Sequence, residues 1–446
     1  MDRDADVRVA DFKEVDLGLS REEAVAEAKR CIQCKKPKCI SGCPVGIDIP
    51  AFIQAIADEK FQDAVYIIKK DNMLPAVCGR VCPQETQGQG VCVLGIKDTP
   101  IAIGQLERFV ADIERKKGAK CPKCAPATGK NVVVVGSGPA GLACAAELAR
   151  RGHSVTIFES LHEAGGVLMY GIPAFRIPKD IVQYEINQVK KLGVEIETNH
   201  IVGRSVSVEE LLGFNAVFLG TGAGLPYFMG IQGENLPGVY SANEFLTRVN
   251  LMGANKFPEY DTPVKVGKKV VVVGGGNVAM DAARVARRMG ADVTLMYRRG
   301  EADMPARLDE VRHAKEEGVF FMTATNPIAI LGENNTVSGV KAITMELGTT
   351  GDDGRCSFYP IEGSEFVVET DVVIEAIGQG PNPLLLRMLP ELTRNRNGSV
   401  AVNCLGETSI PKVYAGGDVA TGAATVILAM GTAKEAAVAI DKMLRT

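Results

Sequence analysis

Two stretches of the 446-residue chain share one pattern, and that pattern limits the fold more than any other feature. "NVVVVGSGPAGLACAAELARRGHSVTIFES" begins at Asn131, and "KVVVVGGGNVAMDAARVARRMGADVTLMYR" begins at Lys269. Each has four valines, a glycine-rich turn, a run of small residues, a glycine and a second apolar run. The register is kept: Gly136 to Gly152 and Gly274 to Gly290 are both 16 residues apart. Continuous β-branched runs suit strands buried on both faces, as in a parallel sheet covered by helices. A strand–turn–helix–strand unit present twice predicts an α/β chain with two Rossmann-like dinucleotide-binding domains.

The turns say what each unit binds. In the first, Gly136 permits the tight turn, Gly138 lets backbone approach a pyrophosphate, and Gly141 lets the helix pack on the strand. Phosphates would then face the free N–H groups and positive end of a helix. Glu159, 23 residues beyond Gly136, is placed to accept hydrogen bonds from ribose hydroxyls. The second turn carries Gly274, Gly276 and, at the third position, Ala279. Its counterpart of Glu159 is Tyr297, followed at once by Arg298 and Arg299. Loss of the carboxylate removes a repulsion, and two guanidiniums can grip a 2′-phosphate, which points to NADP over NAD. Two solvated arginines at a strand end are the plainer alternative.

Nine of the twelve cysteines fall in the first 124 residues, at 31, 34, 39, 43, 78, 82, 92, 121 and 124. In a reducing compartment such crowding reads as metal binding and not as a disulfide framework. Residues 1–125 otherwise read as mostly helical, with segments at Ser20–Arg30 and Ile49–Asp58 between cysteine-bearing loops. Cys31-x2-Cys34-x4-Cys39-x3-Cys43-Pro44 is close to the bacterial ferredoxin run, in which the last cysteine serves the other cluster. Four such thiolates could instead hold zinc tetrahedrally. A formal net charge of −4 gives no electrostatic reason to bind nucleic acid. No apolar run approaches the roughly 18 residues of a membrane helix, and the charged N-terminus lacks a signal-peptide core, so a cytoplasmic protein is expected.

A third segment, "KVYAGGDVATGAATVILAMGTAKEAA" (412–437), resembles the C-terminal flavin motif of two-dinucleotide-domain flavoproteins. That resemblance implies that Asp418 binds the ribityl chain of FAD and that the following helix starts at the isoalloxazine ring. Gly165, Gly166 and "YGIP" (170–173) resemble the flavin-contacting loop, and "VFLGTGA" (217–223) and "VIEAIGQGPN" (373–382) the crossing segments. The expected architecture is a helical iron–sulfur domain, 1–125, then an FAD domain split as 126–245 and 372–446. An NADP domain, 246–371, is inserted between its halves.

Nearly the whole chain resembles the NADPH-dependent glutamate synthase small-subunit family. "CIQCKKPKCISGCPVGIDIP", "LPAVCGRVCPQE", "PIAIGQLERFV", "GGVLMYGIPAFRIPKD" and "YRRGEADMPA" carry the resemblance. That family includes the large subunit of the NADH-dependent reduced ferredoxin:NADP oxidoreductase, and the amino-terminal half of dihydropyrimidine dehydrogenase is similar. The resemblance implies one [4Fe–4S] cluster on Cys31, Cys34, Cys39 and Cys92. It implies another on Cys43, Cys82, a cysteine six residues after Cys82, and Glu107. Position 88, however, is Gly. For eight ligands Cys78 must supply the missing sulfur; a three-iron cluster, an outside ligand such as water, or a single cluster are the alternatives.

The implied activity is electron entry: hydride from NADPH to FAD, then single electrons through one or two [4Fe–4S] clusters to a partner. The partner is a larger catalytic subunit of the glutamate synthase large-chain type, or a smaller flavin/[2Fe–2S] subunit, or ferredoxin. The chain begins Met1-Asp2, without the cysteine nucleophile of a glutaminase, so it is not expected to use glutamine alone. A hetero- or homo-oligomer is expected. The rival readings are an electron-bifurcating transhydrogenase subunit, a thioredoxin-reductase-like enzyme using Cys121 and Cys124, and a redox sensor without turnover.

Overall fold

The computed structural model describes residues 2–118, 122–350 and 356–446. The first part is helical, as the sequence predicts. Helix α1 (Arg21–Lys29) starts at a capping box in which Ser20 and Glu23 satisfy one another's backbone N–H groups. It buries Ala24 and Ala28. Helix α2 (Ile49–Ala57) is capped by Asp48 and carries a proline in its first turn. Helices α3 (Phe61–Lys69), α4 (Pro75–Val81) and α5 (Ile103–Lys117) follow. Phe52, Ile53, Ile56, Leu74 and Leu106 form their core, which runs without a break into Leu142 and Ala433 of the nucleotide-binding part. The helical part is therefore packed onto the rest by hydrophobic burial and not merely tethered to it.

Strands β1 (Asn131–Val135), β2 (Ser154–Phe158), β3 (Glu195–Glu197) and β4 (Ala216–Leu219) come next, with helix α6 (Pro139–Arg150) between β1 and β2. Strands β5 (Val239–Ser241), β6 (Lys269–Val273), β7 (Asp292–Met296) and β8 (Phe320–Met322) follow, with helix α7 (Asn277–Arg288) between β6 and β7. The chain ends through β9 (Val372–Glu375), β10 (Val413–Ala415) and helix α8 (Val426–Arg445). One sheet has the order β10-β4-β1-β2-β3 and the other β5-β9-β6-β7-β8. Every pairing in both is parallel. The sequence repeat is thus a structural one: β1–α6–β2 and β6–α7–β7 hold equivalent central places.

Two strands pair otherwise than the expected boundaries imply. β5 lies before residue 246 and β9 after residue 371, yet both join the second sheet, with Val373 opposite both Val239 and Val271. Parallel neighbours are joined by long crossovers, so sequence adjacency does not reveal them. Only β10 returns to the first sheet. An antiparallel layer spanning 325–369, which the sequence reading does not contain, packs Ile330 and Val340 against Val271 and Val273 of the second sheet. Among the described residues, no helix is long and apolar enough to cross a membrane.

Candidate functional site

The two glycine turns open into one cavity of about 1240 Å³, larger than the roughly 300–1,000 Å³ of a one-ligand site. In the first turn Gly136 has φ +100°, and a Cβ there would sit 2.5 Å from the Gly220 carbonyl oxygen. Gly138 is the residue before α6, and its Cβ position is open space facing the cavity. A Cβ on Gly141 would run into the Gly136 carbonyl, so the strand and helix need glycine to touch. Gly166, at φ +55°, presses from the opposite side, where its Cβ would stand 2.8 Å from Gly138 Cα. Glu159 is buried; its Oε2 accepts the Ser137 backbone N–H at 2.9 Å and its Oε1 that of Leu161 at 2.8 Å.

The second turn solves the same geometry differently. Gly274 has φ +145°. Tyr297 lies where Glu159 lies in the first repeat, and its ring covers Gly275, where any Cβ would come within 2.6 Å of the ring. Its hydroxyl donates to the Asp303 carbonyl at 3.0 Å. The pair Ser137–Glu159 is thus replaced by the pair Gly275–Tyr297, an exchange that single-motif reading does not reveal. Ala279 is fully buried and tolerated where the first repeat needs Gly141. Arg298 and Arg299 line the cavity, and neither guanidinium forms an ion pair among the described residues, which leaves both for a ligand phosphate.

Asp418 lines the cavity from the other end, accepting the Ala424 N–H at 3.3 Å. Burial raises its carboxyl to about 6. The helix expected directly after "GGD" is divided: Asp418–Thr421 forms one turn, Gly422 turns at φ +83°, and α8 begins at Val426 with Thr425 as its cap. Val426 and Ala429 put the first turn of α8 on the cavity wall. The open glycine cradle, the two unpaired guanidiniums and the cavity's size fit two dinucleotides, FAD on the first repeat and a pyridine nucleotide on the second. Sequence reasoning did not single out Lys179. Its Nζ is buried and donates to the Leu168 and Ile172 carbonyls, clamping the "YGIP" turn, and burial lowers it to about 7. A Lys that opens a helix (Lys179–Lys190) directly after Pro178 gives no signal of burial.

The thiols fall into two groups. Cys31, Cys34, Cys39 and Cys92 are near enough that the Cys34 and Cys92 charges act on Cys31, and those of Cys31 and Cys92 on Cys39. All four are half-buried. Burial pushes Cys31 up and Cys39 up to about 11. The second group is deeper. Cys43 senses the Glu107 charge, and Cys78 is hydrogen-bonded to Cys82 and senses both Cys82 and Glu107. Burial raises Glu107 to about 8, opposed by a 2.8 Å hydrogen bond from Asn72 Nδ2. No three His, Cys, Asp or Glu side chains among the described residues gather tightly enough for a single metal ion. Soft donors that raise one another's pKa suit iron–sulfur chemistry, because a cluster's positive iron stabilises the thiolates. Cys121 lies outside the described residues; Cys124 is exposed and is not part of the cavity wall. Cys144 is fully buried among alanines, a small hydrophobe.

The deep thiols and the cavity share walls. Val81 and Pro83, on either side of Cys82, line the cavity, and Met430 Sδ, next to the cavity-lining Ala429, is 3.7 Å from Cys78 Sγ.

Comparison with known proteins agrees with this geometry. Residues 8–119 match the family model described as dihydropyrimidine dehydrogenase domain II, 4Fe-4S cluster. Residues 130–441 match that of pyridine nucleotide-disulphide oxidoreductase. The glutamate synthase [NADPH] small chain of Escherichia coli is 36% identical over 441 residues, covering 97% of this chain and 93% of that one. The chain belongs to the glutamate synthase small-chain family. It is an oxidoreductase whose cofactors are FAD, a pyridine nucleotide and 4Fe-4S iron–sulfur. A subunit of another kind of complex is also similar, the NADP(+)-dependent formate dehydrogenase subunit beta of Moorella thermoacetica. It is 40% identical over 91% of this chain, which spans 60% of that subunit's length. Among solved structures, Mycobacterium tuberculosis FprA in complex with NADPH has a TM-score of 0.60 at 20% identity, covering 72% of this chain and 85% of that one. Thioredoxin reductase of T. acidophilum has a TM-score of 0.51 at 20% identity, covering 71% of this chain and all of the other. These two likenesses are of fold.

Proposed function

We propose that this chain is the electron-entry subunit of a larger cytoplasmic complex, taking electrons from NADPH and delivering them singly, through iron, to a partner protein. One observation carries the reading: both glycine turns and residues flanking a deep cysteine, Val81 and Pro83, line the same cavity. FAD, when bound, supplies the conversion between a hydride donor and one-electron iron centres.

The residues divide the work. Gly136, Gly138 and Gly141 bring the start of α6 against the FAD pyrophosphate, and Glu159 and Asp418 hold its ribose and ribityl hydroxyls. Gly166, packed against Gly138, belongs to the loop that would contact the flavin. Gly274, Gly276 and Ala279 do for the pyridine nucleotide what the first turn does for FAD, and Arg298 and Arg299 take its 2′-phosphate. Cys31, Cys34, Cys39 and Cys92 hold a [4Fe–4S] cluster near the surface. The partner is a larger catalytic subunit of the glutamate synthase type or a smaller electron-carrying subunit; relatives named as small or beta subunits support a partner of this kind.

Anaerobic mixing with NADPH tests this. The yellow flavin absorbance should bleach and a reduced iron–sulfur signal should appear by electron paramagnetic resonance. Robust glutamate formation by the chain alone from glutamine and 2-oxoglutarate would overturn the entry-subunit reading, as would flavin without iron.

A further inference from the structure

The deeper donor group is built differently from the outer one, and the difference bears on a ligand. Helices α4 and α5 cross with their backbones in contact: a Cβ on Gly79 would sit 2.6 Å from the Arg108 nitrogen. That crossing presents Cys78 and Cys82, one helical turn apart with the Cys82 N–H donating to the Cys78 carbonyl, toward Glu107. Cys43 arrives from the other side on a loop fixed by α8. A Cβ on Gly431 would stand 2.7 Å from the Pro44 carbonyl, and Lys434 donates to the Val45 carbonyl at 3.0 Å. Three thiols and a carboxyl therefore converge, with Cys78, Cys82 and Glu107 buried and Cys43 half-buried beside them. Ionisable groups buried together are costly unless a cation compensates them.

Cys78 is 1% exposed, with its sulfur 3.8 Å from Asn72 Oδ1 and 3.7 Å from Met430 Sδ. It differs from Cys144, which is buried in the hydrophobic core between Ala143 and Ala145 of α6. Gly88 offers no rival position, since a Cβ there would press on Ile49 Cδ1 and Ile103 Cδ1, both at 3.3 Å. We propose that Cys78 is the fourth ligand of a second [4Fe–4S] cluster, completing Cys43, Cys82 and Glu107, and that this cluster stands between the flavin cavity and the outer one. On ligation the three thiols and the Glu107 carboxyl release their protons to solvent as sulfur–iron and oxygen–iron bonds form with the iron and sulfide supplied on reconstitution. The inference rests on the iron–sulfur reading above, and the experiment separates the two.

Reconstituted wild-type chain, C78S, C82S and C144S are compared for iron, acid-labile sulfide, flavin content and circular dichroism. Wild type and C144S should carry about eight irons, and C78S and C82S about four to seven, with flavin retained. C78S holding the wild-type iron count and an unchanged magnetic resonance spectrum would overturn the ligand assignment alone. Wild type holding about four irons would overturn the second cluster while leaving the entry-subunit reading standing. Should C78S not fold, wild type still decides. A fully protein-ligated cluster keeps its iron through ferricyanide oxidation, whereas loss of one iron with a three-iron signal would show an open site and sink the proposal.

Discussion

At the scale of single residues, the clearest division of labour is between Glu159 and Tyr297. Glu159 is a carboxylate anchored to Ser137, whereas the aromatic ring of Tyr297 covers Gly275 and puts no negative charge beside Arg298 and Arg299, the pair proposed to take a 2′-phosphate. Removing either guanidinium should raise KM for NADPH roughly tenfold, about 1.5 kcal/mol for one charge-assisted contact, with KM for NADH little changed. Paired steady-state titrations with the two nucleotides check this; equal changes for both would contradict a phosphate role. Lys179 gives a pH prediction. Its folded-state pKa is lowered to about 7, so between that value and the ordinary lysine range the unfolded chain binds the extra proton. Stability therefore rises with pH across that window. Urea unfolding at pH 7 and pH 9 should show a steeper gain for wild type than for Lys179→Met; parallel curves would refute the shifted amine.

At the scale of elements, much was legible because it is local. The paired valine strands, the glycine turns and α1 with its Ser20–Glu23 box all lie within a few residues of their determinants. Other features depend on partners far along the chain. The second sheet recruits β5 and β9 from outside the inserted segment, and the layer at 325–369 alternates too weakly to announce a strand network. The spacing of the cysteines could suggest ligands, but their grouping depends on where α4 crosses α5. That crossing turns on Gly79, which supplies no chemistry of its own. Gly79→Ala forces the helices apart and should cost about 1–3 kcal/mol by overpacking. If the crossing aligns the deep donors, this variant also loses iron from the second group while keeping the first. Thermal unfolding with iron analysis on one preparation measures both, and undiminished iron would detach Gly79 from the site.

At the scale of the whole molecule, the segment before α1 straps the parts together. Val15 donates to the Phe175 carbonyl at 2.9 Å, and Arg8 pairs with Glu317 at 2.9 Å, where Arg284 and Arg288 also converge. Arg176, beside the cavity, pairs with Asp281 of α7 at 2.8 Å. Such buried pairs hold position more than they add stability, since desolvation offsets much of their attraction. They hold the two nucleotide turns against one cavity. In the electron-entry reading proposed above, the half-buried outer thiol group is where electrons leave. Around it Ile32, Val93 and Ile96 are exposed, Ile96 at 77%, and so are Lys35, Lys36, Lys38 and Lys97. None of these lysines forms an ion pair among the described residues, so this face carries four free ammonium groups around exposed apolar residues. A partner docking there is expected to be acidic, and steering by such charge weakens as salt screens it. With an acidic flavodoxin as one-electron acceptor, the triple variant K35E/K36E/K38E should reduce it roughly tenfold more slowly at low salt and lose the salt dependence. Reduction of a small neutral dye should be unchanged, because the cavity and both thiol groups are left intact. Equal rates for variant and wild type, at every salt concentration, would move the exit to another face of the molecule.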